Sequence, residues 1–231
     1  MPQNYSRSPN QLLRALPKDE YRRLEPHLTP TSLATGTILY QATEKIETVY
    51  FPNSALISST YSLSHGSTVE IGLIGFTGMV GLPVIFGNNY SYHRILVLVE
   101  DSAMKISAEV LKREFERGNE LQRLLLMYAD TRLKQLLQLA ACNRHHTIEE
   151  RLARWLLTIQ DLTQSKQVPL THEFISNMLG VRRSGVTLAA GSLQQARCIN
   201  YARGKITILN RESLKDKACE CYQLLRKNSF L

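Results

Sequence analysis

The sequence predicts an α+β protein in which a β-rich N-terminal part, a long helix and a small helical domain follow one another. Three observations support this order. Short β-rich runs separated by turn residues recur from residue 37 to 106, and apolar residues then recur at helical spacing up to residue 142. Two short helical segments and a hairpin occupy residues 171–209. We therefore expect boundaries at residues 11–117, 118–144 and 145–223.

A chain of 231 residues with 43% hydrophobic side chains can build one large core or two ordinary ones. Its net charge of +8 is concentrated at one end, because residues 182–231 hold ten Lys or Arg against three Asp or Glu. The first 181 residues are close to neutral. This distribution favours a polyanionic partner at the C-terminal end over a merely solvated basic surface.

The sequence contains no run of about 18 apolar residues, and its first residues lack the apolar core of a signal peptide. We therefore expect a cytoplasmic protein with no membrane partner. The four cysteines form no CxxC pair, and Cys219-x-Cys221 lacks the second pair of a common zinc motif. Buried or idle thiols, no metal site and no cofactor are the resulting expectations.

In the N-terminal part, residues 11–28 have helical spacing interrupted by Pro17. The β-rich runs that follow predict an antiparallel barrel or sandwich large enough to enclose a ligand. The predicted strands are Thr37–Tyr40, Thr48–Phe51, Ala55–Ser58, Val69–Ile74, Ile95–Val99 and Ala103–Ile106.

The C-terminal pattern predicts a winged helix-turn-helix. Thr171 is placed to cap a first helix, Gly180 supplies the turn, and Val186, Ala190 and Leu193 form the buried side of a second helix. A hairpin from Ile199 to Leu209 forms the wing. This arrangement is typical of proteins that place the second helix in the major groove of DNA.

The N-terminal end of that second helix should face DNA. Arg183 can offer two donors to guanine, Arg182 and Ser184 can hold phosphates, and Leu188 can touch a thymine methyl. The predicted DNA-binding residues are Thr171, Arg182, Arg183, Ser184, Gly185, Thr187, Leu188, Arg203 and Lys205.

The long helix carries apolar residues at alternating three- and four-residue spacing, which is a coiled-coil seam. The helix could lie on its own domain, but a homodimer is favoured because such DNA readers pair to match two half-sites. The seam comprises Leu126, Ala129, Leu133, Leu136 and Ala140.

The pattern breaks at residues 143–146, where we expect a hinge surface rather than a metal pair at His145-His146. Thr147 and Glu150 then predict a capping box.

The motifs MLGVRRSGVT at 178–187 and RGKITIL at 203–209 resemble the cyclic-AMP receptor protein/fumarate–nitrate regulator (Crp/Fnr) family of bacterial transcription factors. The tail from Ala218 to Tyr222 is similar to a subgroup of that family. The resemblance covers nearly the whole chain. It implies a cyclic-nucleotide-binding-like β jelly roll, a long dimerisation helix and a winged helix-turn-helix. It also implies a homodimer that binds double-stranded promoter DNA, where RNA polymerase is a further expected partner.

One segment departs from the nucleotide-binding members of the family. Their phosphate cradle carries a glutamate that grips the ribose, whereas Leu82 stands at the matching position here, and Ile95 follows Arg94 where those members have a hydroxyl residue. Because leucine cannot accept a ribose hydrogen bond, we expect no tight binding of cyclic AMP. The effector stays unknown, with pocket candidates at Glu70, Gly81, Leu82, His93 and Arg94.

The predicted function is a sequence-specific transcription regulator whose β domain senses an effector and shifts the DNA-binding domains through the long helix. A constitutive DNA binder and a ligand-binding scaffold that uses the winged helix for protein contacts are the alternatives. An enzyme is not expected, because the sequence lacks a nucleophile elbow, a phosphate-binding loop and a metal triad.

Overall fold

The computed structural model describes residues 8–64 and 66–227. Within these ranges the chain forms two compact units. Of the described residues, 8–57 and 74–132 belong to the N-terminal unit, and those of 58–73 and 133–227 belong to the C-terminal unit. The predicted boundaries differ from this division, because residues 58–73 were expected in the β-rich domain and the long helix was expected to stand apart.

The helical preface is confirmed as α1 (Gln11–Ala15), α2 (Lys18–Leu24) and a 3-10 turn at Glu25–His27. The side chain of Asn10 holds this helical preface against the β structure. The Asn10 carboxamide oxygen accepts from two backbone N–H groups at the start of α1. Its buried nitrogen donates to the carbonyls of Pro52 and Gly78, each at 2.8 Å. One side chain therefore caps α1 and ties it to the β structure.

Seven strands follow the preface in the described part of the N-terminal half. They are β1 (Thr29–Leu33), β2 (Ile38–Tyr40), β3 (Thr48–Pro52), β4 (Leu56–Ser62), β5 (Thr68–Ile74), β6 (Arg94–Val99) and β7 (Asp101–Ser107). One sheet has the order β1-β7-β3, with Thr29 opposite Lys105 and Thr48 opposite Ser107. The other has the order β2-β6-β4-β5.

All six predicted strands are present, and the antiparallel two-sheet arrangement is that of the expected jelly roll. Strand β1 was missed. It contains Pro30, which lacks an N–H and lowers the strand signal of its segment, yet β1 is an edge strand paired on one side only. Proline is tolerated at such an edge.

The predicted helical stretch after residue 108 is two helices, α3 (Ala108–Phe115) and α4 (Glu120–His145). Gly118, with φ of 75°, lies in the turn between them. The helices contribute to the core of the N-terminal unit together with both sheets. Its largest fully buried side chains include Leu13, Phe51, Met79, Ile106, Leu111 and Leu125.

The C-terminal unit begins its own helices with α5 (Ile148–Thr163), and the predicted capping box is confirmed. The Thr147 hydroxyl accepts from the N–H of Glu150 at 3.3 Å, and the Glu150 carboxylate accepts from the N–H of Thr147 at 2.8 Å. The remaining elements are β8 (Gln167–Pro169), α6 (His172–Leu179), α7 (Arg183–Gln195), β9 (Ile199–Ala202), β10 (Lys205–Ile208), α8 (Arg211–Lys217) and α9 (Cys221–Lys227). Strand β8 was not predicted; it makes the wing a three-stranded sheet of order β8-β10-β9.

The hairpin of β4 and β5 contacts α5 and α6 within the C-terminal unit. The Glu70 carboxylate accepts hydrogen bonds from the Trp155 indole and from the Ser58 hydroxyl, both at 2.9 Å. Ser58 also lies 3.6 Å from the Met178 sulfur. These contacts join segments that are far apart in sequence.

Across the described residues, none of the helices is both long and apolar enough to cross a lipid bilayer.

Candidate nucleic-acid interface

The first helix of the motif, α6, begins and ends as the sequence predicts. The Thr171 hydroxyl accepts from the N–H of Phe174 at 3.1 Å, which caps the helix. Gly180 ends it in the left-handed region, with φ of 62°. The N–H of Val181 then donates to the Ser176 carbonyl at 3.0 Å, which closes the C-terminal turn. This turn sets the direction in which α7 leaves α6.

The second helix, α7, buries Val186, Ala190 and Leu193 as predicted. Its opposite side is exposed near the N-terminal end, where Arg182, Arg183, Ser184, Thr187 and Leu188 lie. Leu188 is 76% exposed, which is unusual for a large apolar side chain with no partner to cover it. The predicted reading face is therefore accessible.

Gly185 has a packing role that the sequence did not reveal. A Cβ atom at this position would lie 2.7 Å from Cδ1 of Ile148, the first residue of α5. The missing side chain therefore allows α7 to approach α5 closely. Gly185 was predicted to touch DNA, and the structure gives it a separate reason to be glycine.

His172 and Tyr201 were not among the site residues predicted from the sequence. The two rings stack with centroids 4.1 Å apart and planes inclined by 19°. Nδ1 of His172 lies 3.0 Å from the hydroxyl of Thr187, and that hydroxyl also donates to the Arg183 carbonyl at 3.1 Å. The Thr187 hydroxyl therefore makes both of its hydrogen bonds within the protein.

The electrostatic setting of His172 follows from this packing. Burial, and then the nearby positive charge of Arg183, lower the pKa of His172 below its ordinary value. The imidazole is therefore neutral at neutral pH, and Nδ1 can act as the donor to Thr187. A hydrogen-bonding histidine at the junction of two helices has no local sequence signal, because its partner lies fifteen residues away.

A two-residue turn joins β9 and β10 at the tip of the wing. Arg203 and Gly204 both have positive φ, 50° and 74°, which is the requirement of a type I′ hairpin turn. Lys205 pairs with Ala202 directly across the turn. Arg203 and Lys205 are exposed, as predicted. The tip of the wing therefore carries two cations in a fixed hairpin.

The site combines three features that suit a polyanion. The N-terminal N–H groups of α7 point out of a helix of thirteen residues, and two exposed arginines lie at that end. The wing adds Arg203 and Lys205. Helix N-termini and arginines both bind phosphate groups, and arginine can also recognise guanine through two hydrogen bonds.

The family model of the Crp-like helix-turn-helix domain matches residues 150–217. The C-terminal domain belongs to the Crp-like helix-turn-helix family. The match extends from α5 through the motif and the wing to the end of α8, so it covers the elements just described. A comparison with curated protein sequences gives no significant match.

Solved structures resemble the chain over most of its length. A transcriptional regulator of the Crp/Fnr family from Eubacterium rectale has 20% identity and a TM-score of 0.72, with 89% of this chain and 98% of that chain covered. FixK2 from Bradyrhizobium japonicum has 18% identity and a TM-score of 0.70, with coverage of 83% and 98%. The c-di-GMP-responsive regulator CLP from Xanthomonas campestris has 15% identity and a TM-score of 0.67, with coverage of 84% and 100%. The chain therefore has the Crp/Fnr regulator fold, as predicted.

The residues expected around an effector have different surroundings in the structure. Gly81 has φ of 107°, and a Cβ there would lie 2.9 Å from Val49, so both backbone and space require glycine. Leu82 packs against the core of the N-terminal unit. Burial and the charge of Arg132 lower the pKa of His93 to about 4, so its imidazole is neutral at neutral pH. Arg94 begins β6.

Glu70 differs from the other candidates because both of its carboxylate oxygens already accept hydrogen bonds, from Trp155 and Ser58. It lies in the C-terminal unit with the β4–β5 hairpin, whereas Gly81, Leu82, His93 and Arg94 lie in the N-terminal unit. A structural role within the C-terminal unit therefore explains Glu70 without a ligand.

The predicted seam of α4 is largely uncovered in the single chain. Leu126, Leu133 and Leu136 are 46%, 56% and 38% exposed, and Leu137 is 64% exposed. Ala129 is half-buried and Ala140 is exposed. A row of exposed leucines along a 26-residue helix is the pattern of a helix that pairs with another helix.

Proposed function

We propose that this protein is a sequence-specific DNA-binding transcription regulator that acts as a homodimer. The observation that carries the proposal is the exposed N-terminal end of α7, where Arg182, Arg183, Ser184 and Leu188 lie together above a buried apolar face. This is the geometry with which helix-turn-helix proteins insert a helix into the major groove.

The side chains divide into two roles. Arg183 and Leu188 are proposed to read bases, because guanine offers two acceptors and thymine offers a methyl group in the major groove. Arg182, Ser184, Arg203 and Lys205 are proposed to hold phosphates, which fixes the register of the helix without reading sequence. Thr171 caps the start of α6 and is proposed to contact the DNA backbone through its exposed hydroxyl.

The dimer is proposed to form through the α4 seam. Pairing would cover the exposed leucines and place two copies of α7 on one face of DNA, where they would meet half-sites about one helical turn apart. Exposed leucines along the seam support this arrangement. RNA polymerase is proposed as a further partner at the promoter, as for regulators of this kind.

Selection of duplexes from a random DNA pool tests the proposal. The expected result is a palindromic motif with two half-sites, bound with an affinity that falls steeply as salt rises. Recovery of no motif, together with no DNA binding at low salt, would favour a scaffold that uses the winged helix for protein contacts. If no extract of cellular small molecules changes the affinity for DNA, a constitutive DNA binder is favoured.

The effector is proposed to be a molecule other than cyclic AMP. Leu82 packs on the core at the position where the ribose-binding glutamate of nucleotide-binding members would lie, so a ribose hydroxyl would lose its hydrogen bond on burial. Titration calorimetry of the purified chain with cyclic AMP should show no micromolar binding. A micromolar dissociation constant for cyclic AMP would contradict this part of the proposal.

A further inference from the structure

Three cysteines and one histidine converge in the C-terminal unit. Cys142 and His146 lie one turn apart at the end of α4, where the N–H of His146 donates to the Cys142 carbonyl at 3.1 Å. Cys219 and Cys221 lie between the end of α8 and the start of α9. The sequence offered Cys219-x-Cys221 without a second pair, and the last turn of α4 supplies that pair.

The distances between the ligand atoms are close to those of a tetrahedral metal site. The sulfurs of Cys142 and Cys219 are 3.6 Å apart, the Cys221 sulfur is 3.6 Å from Nδ1 of His146, and all four atoms lie within 4.8 Å of one another. Zinc bonds of about 2.3 Å to sulfur and about 2.0 Å to nitrogen require tetrahedral edges of about 3.8 Å and 3.6 Å. Small side-chain shifts would bring all four atoms around one cation.

Two further contacts orient the ligands. Nε2 of His146 lies 3.0 Å from the Glu220 carboxylate, which holds the proton on Nε2 and leaves the lone pair of Nδ1 directed at the sulfurs. The carboxamide of Gln138 donates to the Cys221 sulfur at 3.0 Å. A carboxylate behind a histidine ligand and an N–H donor on a thiolate are the usual supports of a metal centre.

Two buried arginines lie beside the cluster. Arg151 and Arg154 are buried, at 7% and 5% exposure, and Nε of each has no hydrogen-bond partner among the described residues. The positive charge of Arg154 acts on both Cys142 and Cys219. A buried cation needs a compensating anion, and neutral thiols do not provide one. One Zn²⁺ with three thiolates and a neutral imidazole carries a net charge of about −1.

We propose that Cys142, His146, Cys219 and Cys221 form a structural site for a single Zn²⁺ ion that joins the α8–α9 connection to the end of α4. Soft thiolates with one imidazole select zinc among the common divalent ions, and four protein ligands leave no open position for catalysis. All four ligand atoms lie within 4.8 Å of one another, which suits one ion rather than a polynuclear iron–sulfur cluster. Binding releases the protons of those thiols that are not already ionised.

Metal content of the full-length protein tests the site. The chain is purified under reducing conditions, incubated with Zn²⁺ and desalted, and zinc is measured by elemental mass spectrometry. We expect one zinc per chain in the wild type, and none in Cys142→Ser or Cys219→Ser. The matched control is Cys198→Ser, because Cys198 is also buried in this unit but lies outside the cluster. A wild type without zinc, or a Cys219→Ser variant with as much zinc as the wild type, would overturn the proposal.

A second measurement does not depend on whether the serine variants fold. Metal-free wild-type protein is titrated with Co²⁺, whose visible absorption reports tetrahedral coordination and thiolate bonding. The expected result is a thiolate–cobalt spectrum that saturates at one equivalent and disappears when Zn²⁺ is added. Absence of that spectrum in fully reduced protein, or a spectrum without thiolate-to-cobalt bands, would overturn the proposal.

Discussion

Nδ1 of His172 lies 3.0 Å from the hydroxyl of Thr187, so the first residue of α6 is joined to the exposed side of α7. The same hydroxyl also donates to the Arg183 carbonyl at 3.1 Å, so both of its hydrogen bonds are made to groups of the protein. The helix that is proposed to read DNA is thus held at its N-terminal end by a polar contact as well as by its buried apolar face.

Thr187→Val should lower the stability of the domain without changing which bases are preferred. The substitution keeps the size of the side chain but leaves His172 without its hydrogen-bond partner, at an expected cost of about 1 kcal/mol. Urea unfolding gives the stability, and selection from random duplexes gives the motif. Leu188→Ala is the matched comparison: its side chain is 76% exposed, so we expect unchanged stability and a weaker thymine preference. A changed motif in Thr187→Val would show that its hydroxyl reads DNA.

Arg183→Ala should reduce sequence discrimination by about 1–3 kcal/mol, because a two-donor contact to guanine is lost. The measurement is the ratio of affinities for the selected motif and for random duplex at fixed salt. Arg226→Ala serves as the control, since Arg226 is an exposed arginine of α9 that is not among the predicted DNA contacts. Equal losses on both DNAs would make Arg183 a phosphate contact instead.

Leu133→Glu should convert the proposed dimer to a monomer. Leu133 is 56% exposed in the single chain, so the new charge costs the monomer fold little but cannot be buried in a helix pair. Sedimentation velocity gives the association state, and circular dichroism checks the fold. Lys134→Glu changes the next position, about 100° around the helix, and should leave the dimer intact. A Leu133→Glu protein that stays dimeric would place the interface elsewhere.

The stability of the N-terminal unit should fall on acidification because of His93. Burial and the charge of Arg132 lower the pKa of His93 to about 4 in the folded state. The unfolded chain takes up the proton near pH 6.5 and the folded chain does not, so stability falls as pH drops from about 6.5 to about 4. The expected loss from this group is on the order of 2 kcal/mol at pH 5.

Urea unfolding at pH 7.5 and pH 5.0, followed by circular dichroism, measures this dependence. His93→Gln should flatten it, whereas His27→Gln, which changes an exposed histidine in the same unit, should not. An identical acid-induced loss in wild type and His93→Gln would mean that other groups cause it.

Glu220→Gln should weaken metal binding at the proposed zinc site by about 10–100-fold while the cobalt spectrum keeps its shape. The carboxylate is not a ligand; it accepts from Nε2 of His146 and makes Nδ1 a better donor to the metal. Competition with a chelator measures the affinity. An affinity equal to that of the wild type would show that Glu220 does not position His146.

The sequence alone predicted those features that a few neighbouring residues encode. The capping box at Thr147 and Glu150, the Thr171 cap, the left-handed turn at Gly180 and the hairpin of the wing depend on local backbone chemistry. The period of apolar residues likewise indicated the strands, the α4 seam and the buried face of α7. Together with the charge at the C-terminal end, these patterns led to the helix-turn-helix and its reading face.

Only the tertiary structure decided the contacts between distant segments. Cys142 meets Cys219 across 77 residues, Trp155 meets Glu70 across 85, and His172 meets Thr187 across 15. Strand β1 was not predicted, because Pro30 weakens the strand pattern of its segment. Pairing with β7 nevertheless makes this segment a strand. Such contacts depend on how separate elements pack against one another. The spacing of apolar residues within one segment does not indicate which side chain of a distant segment will contact it.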